Sequence, residues 1–209
     1  MIKILIADDH AIVRQGLRQI VSADSQLAIA GEVKNGNELL DFIKKEPIDL
    51  IVLDISMPGR NGLEVLKEIK RDFPFLPVIV LSMHPEDQYA VRVLKAGAAG
   101  YMTKESAPDE LVTAIKKAFK GGKYISPQVA ELLAGYVETK TLDEPHTILS
   151  DREFEVFIML AKGKTVGHIS NDLNLSVKTI STYRTRILEK MQMATNADLT
   201  RYALDLKLM

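Results

Sequence analysis

The sequence contains no cysteine, which excludes disulfides, Cys-ligated zinc and thiol nucleophiles together. No apolar run approaches the roughly 18 residues that a bilayer-spanning helix requires. The N-terminus reaches two acids at Asp8 and Asp9, too early for the apolar region of a signal peptide. These absences predict a cytoplasmic protein with no membrane association. Excess charge is missing as well: the formal net charge is −1, so any charged surface must come from uneven distribution along the chain. Internal repeats and low-complexity tracts are also lacking. What is present is 209 residues, 46% hydrophobic and 26% charged, enough for one large domain or two ordinary ones with proper cores.

Short apolar runs alternate with amphipathic stretches through the first half. IKILIA (2–7), LAIAGEV (27–33), DLIVLD (49–54), PVIVLSM (77–83) and AAGYMTK (98–104) read as strands. Several are continuously apolar and β-branched, as expected where helices cover both faces of a parallel sheet. The stretches between them show helical spacing, and PDELVTAIKKAFKGG follows the last strand, with Pro108 near its start and two glycines at its end. Strict alternation predicts an α/β fold, a doubly wound five-stranded parallel sheet. The segment 138–147 is polar, contains Pro145 and lacks apolar periodicity, so it reads as a linker, preceded by one more short helix. From Leu149 onward the pattern is all-helical, opening on Ser150 with Glu153 three residues later, a capping-box spacing.

Chemistry concentrates at the strand ends. Asp8 and Asp9 follow the first strand and Asp54 ends the third; ligands of doubly wound sheets bind outside these carboxyl ends, at the switch in strand order. Converging carboxylates repel one another unless a cation or protons intervene. Hard oxygen ligands with open positions suit Mg²⁺, which keeps waters and often bridges to phosphate. Ser82 adds a hydroxyl after the fourth strand and Lys104 a cation after the fifth. The set suits metal-assisted phosphoryl transfer, with a carboxylate as nucleophile. Taken singly, Asp8 or Asp54 also reads as a turn former or helix cap, and Lys104 as a solvated surface residue.

Residues 1–124 closely resemble the receiver domain of two-component response regulators, whose fold is flavodoxin-like. Asp8-Asp9 match that family's acidic pair, Asp54 in DISMPGRNG its phospho-accepting aspartate, and Ser82 and Lys104 its switch hydroxyl and lysine. The resemblance implies Mg²⁺ held by Asp9, Asp54 and the backbone carbonyl of Ser56, with Asp8 acting through water. It implies attack by Asp54 on a phosphohistidine of a sensor histidine kinase. Lys104 then pairs with the phosphoryl group, Ser82 swings in to hydrogen-bond it, and Tyr101 turns inward; a half-buried strand aromatic is the plainer reading of Tyr101. His10 and His84 read as a residue near a helix start and a solvent-facing loop residue.

The helical region holds a short helix, a tight turn around Asn174 and a longer helix, the spacing of a helix-turn-helix. In the longer helix Val177, Ile180, Ile187, Leu188 and Met191 predict a core face. Four basic residues, Lys178, Arg184, Arg186 and Lys190, stand against one acid, Glu189. A basic helix carrying Ser181, Thr182 and Thr185 suits a major groove, although an ordinary solvated face has the same pattern. Residues 149–209 resemble the LuxR-type DNA-binding domain of the NarL/FixJ branch of response regulators, through LSDREFEVFIMLAKGKT and LSVKTISTYRTRILEKM. That match implies double-stranded DNA as partner, with Lys178, Arg184, Arg186 and Lys190 at phosphates and Ser181, Thr182 and Thr185 at base edges. TVGHIS departs from the commoner pattern and lacks a basic residue there. The reading divides the chain into a receiver (1–124), a linker with a short helix (125–148) and an output domain (149–209). It expects a non-enzymatic phosphorylation-controlled transcription regulator, a homodimer when phosphorylated. Two alternatives stay open: a phosphatase resembling the haloacid dehalogenases, which want a second acid where Ser56 stands, and a protein-binding adaptor.

Overall fold

Five apolar runs pair into one parallel sheet in the computed structural model: β1 (Ile2–Ala7), β2 (Leu27–Val33), β3 (Leu50–Asp54), β4 (Val78–Ser82) and β5 (Gly100–Thr103). The structure describes residues 1–57, 60–83, 86–138, 144–206 and 208, with main chain alone for 86–88 and 135–138. Pro58 and His84 therefore lie outside the described residues. The strand order is β2-β1-β3-β4-β5, so β1 lies between β2 and β3 and the connections reverse direction there. The crevice beyond the ends of β1 and β3 is the switch point of the sheet. Every residue of β3 and β4 is buried, which explains why these strands are continuously apolar instead of alternating.

Helices α1 (Ala11–Ser22), α2 (Gly36–Lys45), α3 (Gly62–Asp72), α4 (Glu86–Lys95) and α5 (Ala107–Phe119) connect or follow the strands. Asn35 and Asn61 cap α2 and α3 by accepting from Glu38 N and Leu63 N, the role short polar side chains play at helix starts. Gly62 opens α3 at a close approach: a Cβ there would lie 2.6 Å from Ile55 Cα. The loop after Asp54 is thereby folded back onto the end of β3, with Gly62 N donating to Ile55 O at 3.2 Å.

The chain divides into two compact units, 1–134 and 135–209, at a point inside α6 (Pro127–Glu138). Of the segment expected to be a linker, 139–143 lies outside the described residues, and a 3₁₀ turn spans Pro145–Ile148. The second unit contains α7 (Asp151–Ala161), α8 (Val166–Asp172), α9 (Val177–Met191) and α10 (Asn196–Asp205), with α7 packed on α9 and α10. Ser150 and Glu153 form the expected capping box. Asn174 sits at φ 56° between α8 and α9, the left-handed turn that short polar side chains tolerate.

One core assignment is corrected. Val177 is 55% exposed, whereas Ile180, Ile187 and Met191 are buried and Leu188 is half-buried. Val177 occupies the first turn of α9, where periodicity continues but the side chain is left to solvent. Among the described residues, no helix is long and apolar enough to cross a membrane.

Candidate functional site

The parallel sheet delivers three acids to one crevice because β1 and β3 are neighbours in register, Ala7 opposite Leu53. Ligand atoms of Asp8, Asp9, His10 and Asp54 all lie within 4.8 Å of one another. Asp8 and Asp54 are each 1% exposed, and burying carboxylates at this spacing is costly without compensation. Lys104 supplies part of it: its Nζ lies 2.7 Å from Asp8 Oδ2 and 2.7 Å from Asp54 Oδ2. The lysine is carried in by β5, and its own amide donates to Ser82 O at 2.8 Å.

The remaining oxygens are unevenly served. Ser56 N donates to Asp54 Oδ1 at 2.9 Å, and His10 N to Asp8 Oδ1 at 2.7 Å. Asp8 Oδ2 and Asp9 Oδ1 are buried without a hydrogen-bond donor. Their nearest cationic neighbours are Lys104 Nζ and His10 Nδ1, at 2.7 and 2.9 Å. Three carboxylates whose oxygens converge within 4.8 Å, with one ammonium between two of them, form a donor set suited to a hard divalent cation. Burial raises the Asp54 carboxyl above the ordinary carboxylate range; Lys104 and the Ser56 amide oppose this rise and Asp8 adds to it. Burial alone pulls the Lys104 ammonium down, but Asp54 and Asp8 outweigh it and hold Lys104 above the usual lysine value.

Ser82 ends β4, fully buried and paired in register with Thr103. Tyr101 is fully buried on β5, and so already points inward, unlike the half-buried aromatic of the plainer reading. The structure also holds a residue that sequence reasoning passed over. Arg14 on α1 is 9% exposed and donates through Nη1 to the main-chain oxygen of Asp8 at 2.7 Å. A signal was available: Arg14, Leu17 and Val21 share the buried stripe of α1, and an arginine on an apolar stripe demands a partner. His10, at the start of α1, likewise belongs to the acid cluster.

On α9 the candidate DNA contacts separate into two groups. Lys178, Ser181, Thr182, Thr185 and Arg186 are exposed and share one side of a helix that turns about 100° per residue. Thr182 Oγ1 donates to Lys178 O at 3.0 Å and Thr185 Oγ1 to Ser181 O at 3.1 Å. Arg184 is half-buried and Lys190 exposed, and both are tied to other helices. Arg184 Nε donates to Asn196 Oδ1 at 2.7 Å, and Lys190 Nζ to Glu153 Oε2 at 2.6 Å. Both cations are thus engaged with neighbouring helices of their own unit.

Comparison with known proteins follows the same division. Residues 4–116 match the family described as response regulator receiver domain, and residues 147–203 match bacterial regulatory proteins, luxR family. The chain is 36% identical over 205 residues to response regulator UvrY of Escherichia coli K12, covering 98% of this chain and 94% of that protein. It is 38% identical over 204 residues to response regulator GacA of Pseudomonas aeruginosa, covering 97% and 95%. Among solved structures, RcsB from Salmonella enterica serovar Typhimurium, bound to promoter rprA with a phosphomimetic, is similar with a TM-score of 0.67 and 30% identity, covering 96% and 97%. Another RcsB structure contains two dimers bound to two parallel DNAs, with a TM-score of 0.60, 30% identity and coverage of 97% and 98%.

Proposed function

Because the chain belongs to the response regulators that join a receiver domain to a LuxR-type DNA-binding domain, we propose that Asp54 is its phosphoryl acceptor and that phosphorylation governs binding of the α9 face to duplex DNA. The observation that carries this reading is the convergence of Asp8, Asp9 and Asp54 on one crevice with Lys104 2.7 Å from two of them. Asp9, Asp54 and the Ser56 carbonyl would hold Mg²⁺, with Asp8 supporting it from beside them. When bound, the metal neutralises charge on the transferring phosphoryl group.

A carboxylate oxygen of Asp54 attacks phosphorus of a phosphohistidine on a sensor histidine kinase; the P–N bond breaks and the imidazole leaves. Lys104 exchanges its Asp54 contact for the new phosphoryl oxygens, and the Ser82 hydroxyl donates to them. The receiver is thereby biased between two states, with Tyr101, already buried in this structure, held inward in the phosphorylated one. The output domain reads paired half-sites as a homodimer. Lys178 and Arg186 lie at phosphates, Ser181, Thr182 and Thr185 at base edges, while Arg184 and Lys190 reach phosphates only by leaving Asn196 and Glu153. The divisions 1–124, 125–148 and 149–209 are the working domains, and binding genomic DNA assigns the protein to the cytoplasm. RcsB dimers bound to DNA support the dimeric reading by analogy.

Incubation with Mg²⁺ and acetyl phosphate tests the acceptor: wild type takes up acid-stable, hydroxylamine-sensitive phosphate and Asp54→Asn does not. Equal labelling of the two removes Asp54 from the role. Selection of bound genomic fragments with and without phosphodonor tests the output, and recovery of no specific duplex favours a protein-binding adaptor.

A further inference from the structure

We propose that Arg14 is the positioning residue of the acid pair, fixing the peptide plane that joins Asp8 to Asp9 and so aiming Asp9 at the metal. The inference rests on the reading of this crevice as a Mg²⁺ site. Arg14 is an almost fully buried cation, and among the described residues its ion pair is with Glu32 rather than with a crevice carboxylate. Its Nη1 donates to Asp8 O at 2.7 Å, while its Nε lies 3.4 Å from Glu32 Oε2 on β2. Glu32 is itself held from the solvent side by Arg18, whose Nε donates to Oε1 at 2.8 Å. A planar guanidinium reaches a carbonyl on one side and a carboxylate on the other; a lysine ammonium is a single point and lacks that fork.

The target atom is decisive. The oxygen that Arg14 holds belongs to the peptide unit between Asp8 and Asp9, so fixing it constrains ψ of Asp8 and φ of Asp9 together. The other groups of Asp8 are also tied: its N donates to Val33 O at 3.1 Å, and its Oδ1 accepts from His10 N at 2.7 Å. Only Oδ2 faces the crevice without a hydrogen-bond donor. Because Arg14 binds a carbonyl, it orders the pair without competing with a metal ion for carboxylate oxygens.

The test is the dissociation constant of Mg²⁺ for the full chain, measured by calorimetry, beside unfolding measured in EDTA. Arg14→Gln is expected to weaken Mg²⁺ binding by about tenfold, as loss of an outer-shell partner does. Arg14→Lys, which keeps the charge, is expected not to restore it. Should Arg14→Gln fail to fold, Arg14→Lys decides; should both fail, Glu32→Gln decides, with Mg²⁺ binding again weakened. Unchanged Mg²⁺ affinity in the deciding variant, or full affinity in Arg14→Lys, overturns the proposal. Absence of Mg²⁺ binding by wild type refutes instead the metal site on which it rests.

Discussion

Lys104 Nζ donates to Asp54 Oδ2 across 2.7 Å from fifty residues away in the sequence, and the same nitrogen lies 2.7 Å from Asp8. One ammonium thus serves two buried carboxylates, with a third beside them. The balance of charge is short by design of the site, and the deficit has measurable consequences.

Replacing Asp54 by asparagine relieves part of it. Lys104 keeps Asp8 as a partner, while the repulsion between Asp8 and Asp54 disappears. In EDTA at pH 7, Asp54→Asn is expected to stabilise the receiver unit by about 1 kcal/mol. The pH course follows from burial holding the Asp54 carboxyl above its ordinary value. Below the unfolded pKa both states are protonated and ionisation costs nothing. As pH rises toward the folded value, the unfolded state ionises first and wild type loses stability. The advantage of the variant therefore grows with pH through that window and is level above it. Segment-resolved hydrogen exchange of β3 and β4, compared between the two proteins at each pH, measures it. A variant no more protected than wild type at pH 7 refutes the account.

Removing the lysine has the opposite sign. Lys104→Met leaves Asp8 and Asp54 facing each other without their cation, and is expected to destabilise the metal-free receiver by about 3 kcal/mol. Added Mg²⁺ then raises the thermal midpoint more in the variant than in wild type, since the metal is the remaining source of positive charge. The acids hold the Lys104 pKa above the ordinary 10.5. Its contribution is therefore fully present below 10.5 and is lost only as pH rises through the higher folded value. The deficit of the variant in EDTA is flat from neutrality to about pH 9 as far as the lysine is concerned. A deficit that fades within that range contradicts the assignment.

Much of this site is legible without coordinates because it is built from strand ends. Asp8, Asp54, Ser82 and Lys104 each terminate or follow an apolar run, and parallel strands present all such ends on one edge. The capping box at Ser150 and Glu153 is equally local. Tertiary pairing over tens of residues is not local. Nothing near Lys190 announces Glu153, 37 residues earlier, and nothing near Arg184 singles out Asn196. Charge counting makes four equivalent cations of α9, whereas Arg184 and Lys190 are tied to Asn196 and Glu153 in neighbouring helices. Arg14 escapes the same local reading. Its helical position marks it as buried, but the atoms it holds become neighbours only when β1, β2 and α1 assemble.

The division of the four cations predicts distinct signatures in DNA binding. Lys178→Ala and Arg186→Ala are each expected to reduce the slope of log affinity against log salt by about 0.9, the loss of one phosphate contact, with the thermal midpoint unchanged. Arg184→Ala and Lys190→Ala remove ties from α9 to α10 and α7, so they lower the thermal midpoint of the output unit before any DNA is added. Titration of a selected duplex at several salt concentrations, with melting of the free proteins, separates the pairs. The assignment is wrong if Arg184→Ala and Lys190→Ala melt like wild type and alone change the slope.

Glu153 joins two tasks, and acid should uncouple them. Its Oε2 accepts from Ser150 N at 2.8 Å, closing the capping box of α7, and from Lys190 Nζ at 2.6 Å, anchoring the end of α9. Burial pushes the carboxyl up, but Lys190 and Ser150 together outweigh it and hold Glu153 below the usual glutamate range. A depressed folded pKa means that the stabilisation is fully present above the unfolded value of 4.5 and is lost as pH falls through the folded one. Glu153→Gln keeps the shape and can still accept from Ser150 N, but loses the charge that faces Lys190. At pH 7 it is expected to cost about 1 kcal/mol, the worth of a charge-assisted bond over a neutral one. The cost shrinks toward zero at acid pH, where wild type has lost the charge too. Lys190→Met is expected to follow the same acid dependence, because it removes the other half of one interaction. Hydrogen exchange of α7 amides in the full chain, read as variant against wild type at each pH, records both. A Glu153→Gln deficit that persists undiminished below the folded pKa of Glu153 means that packing, not the ion pair with Lys190, holds α9 to α7.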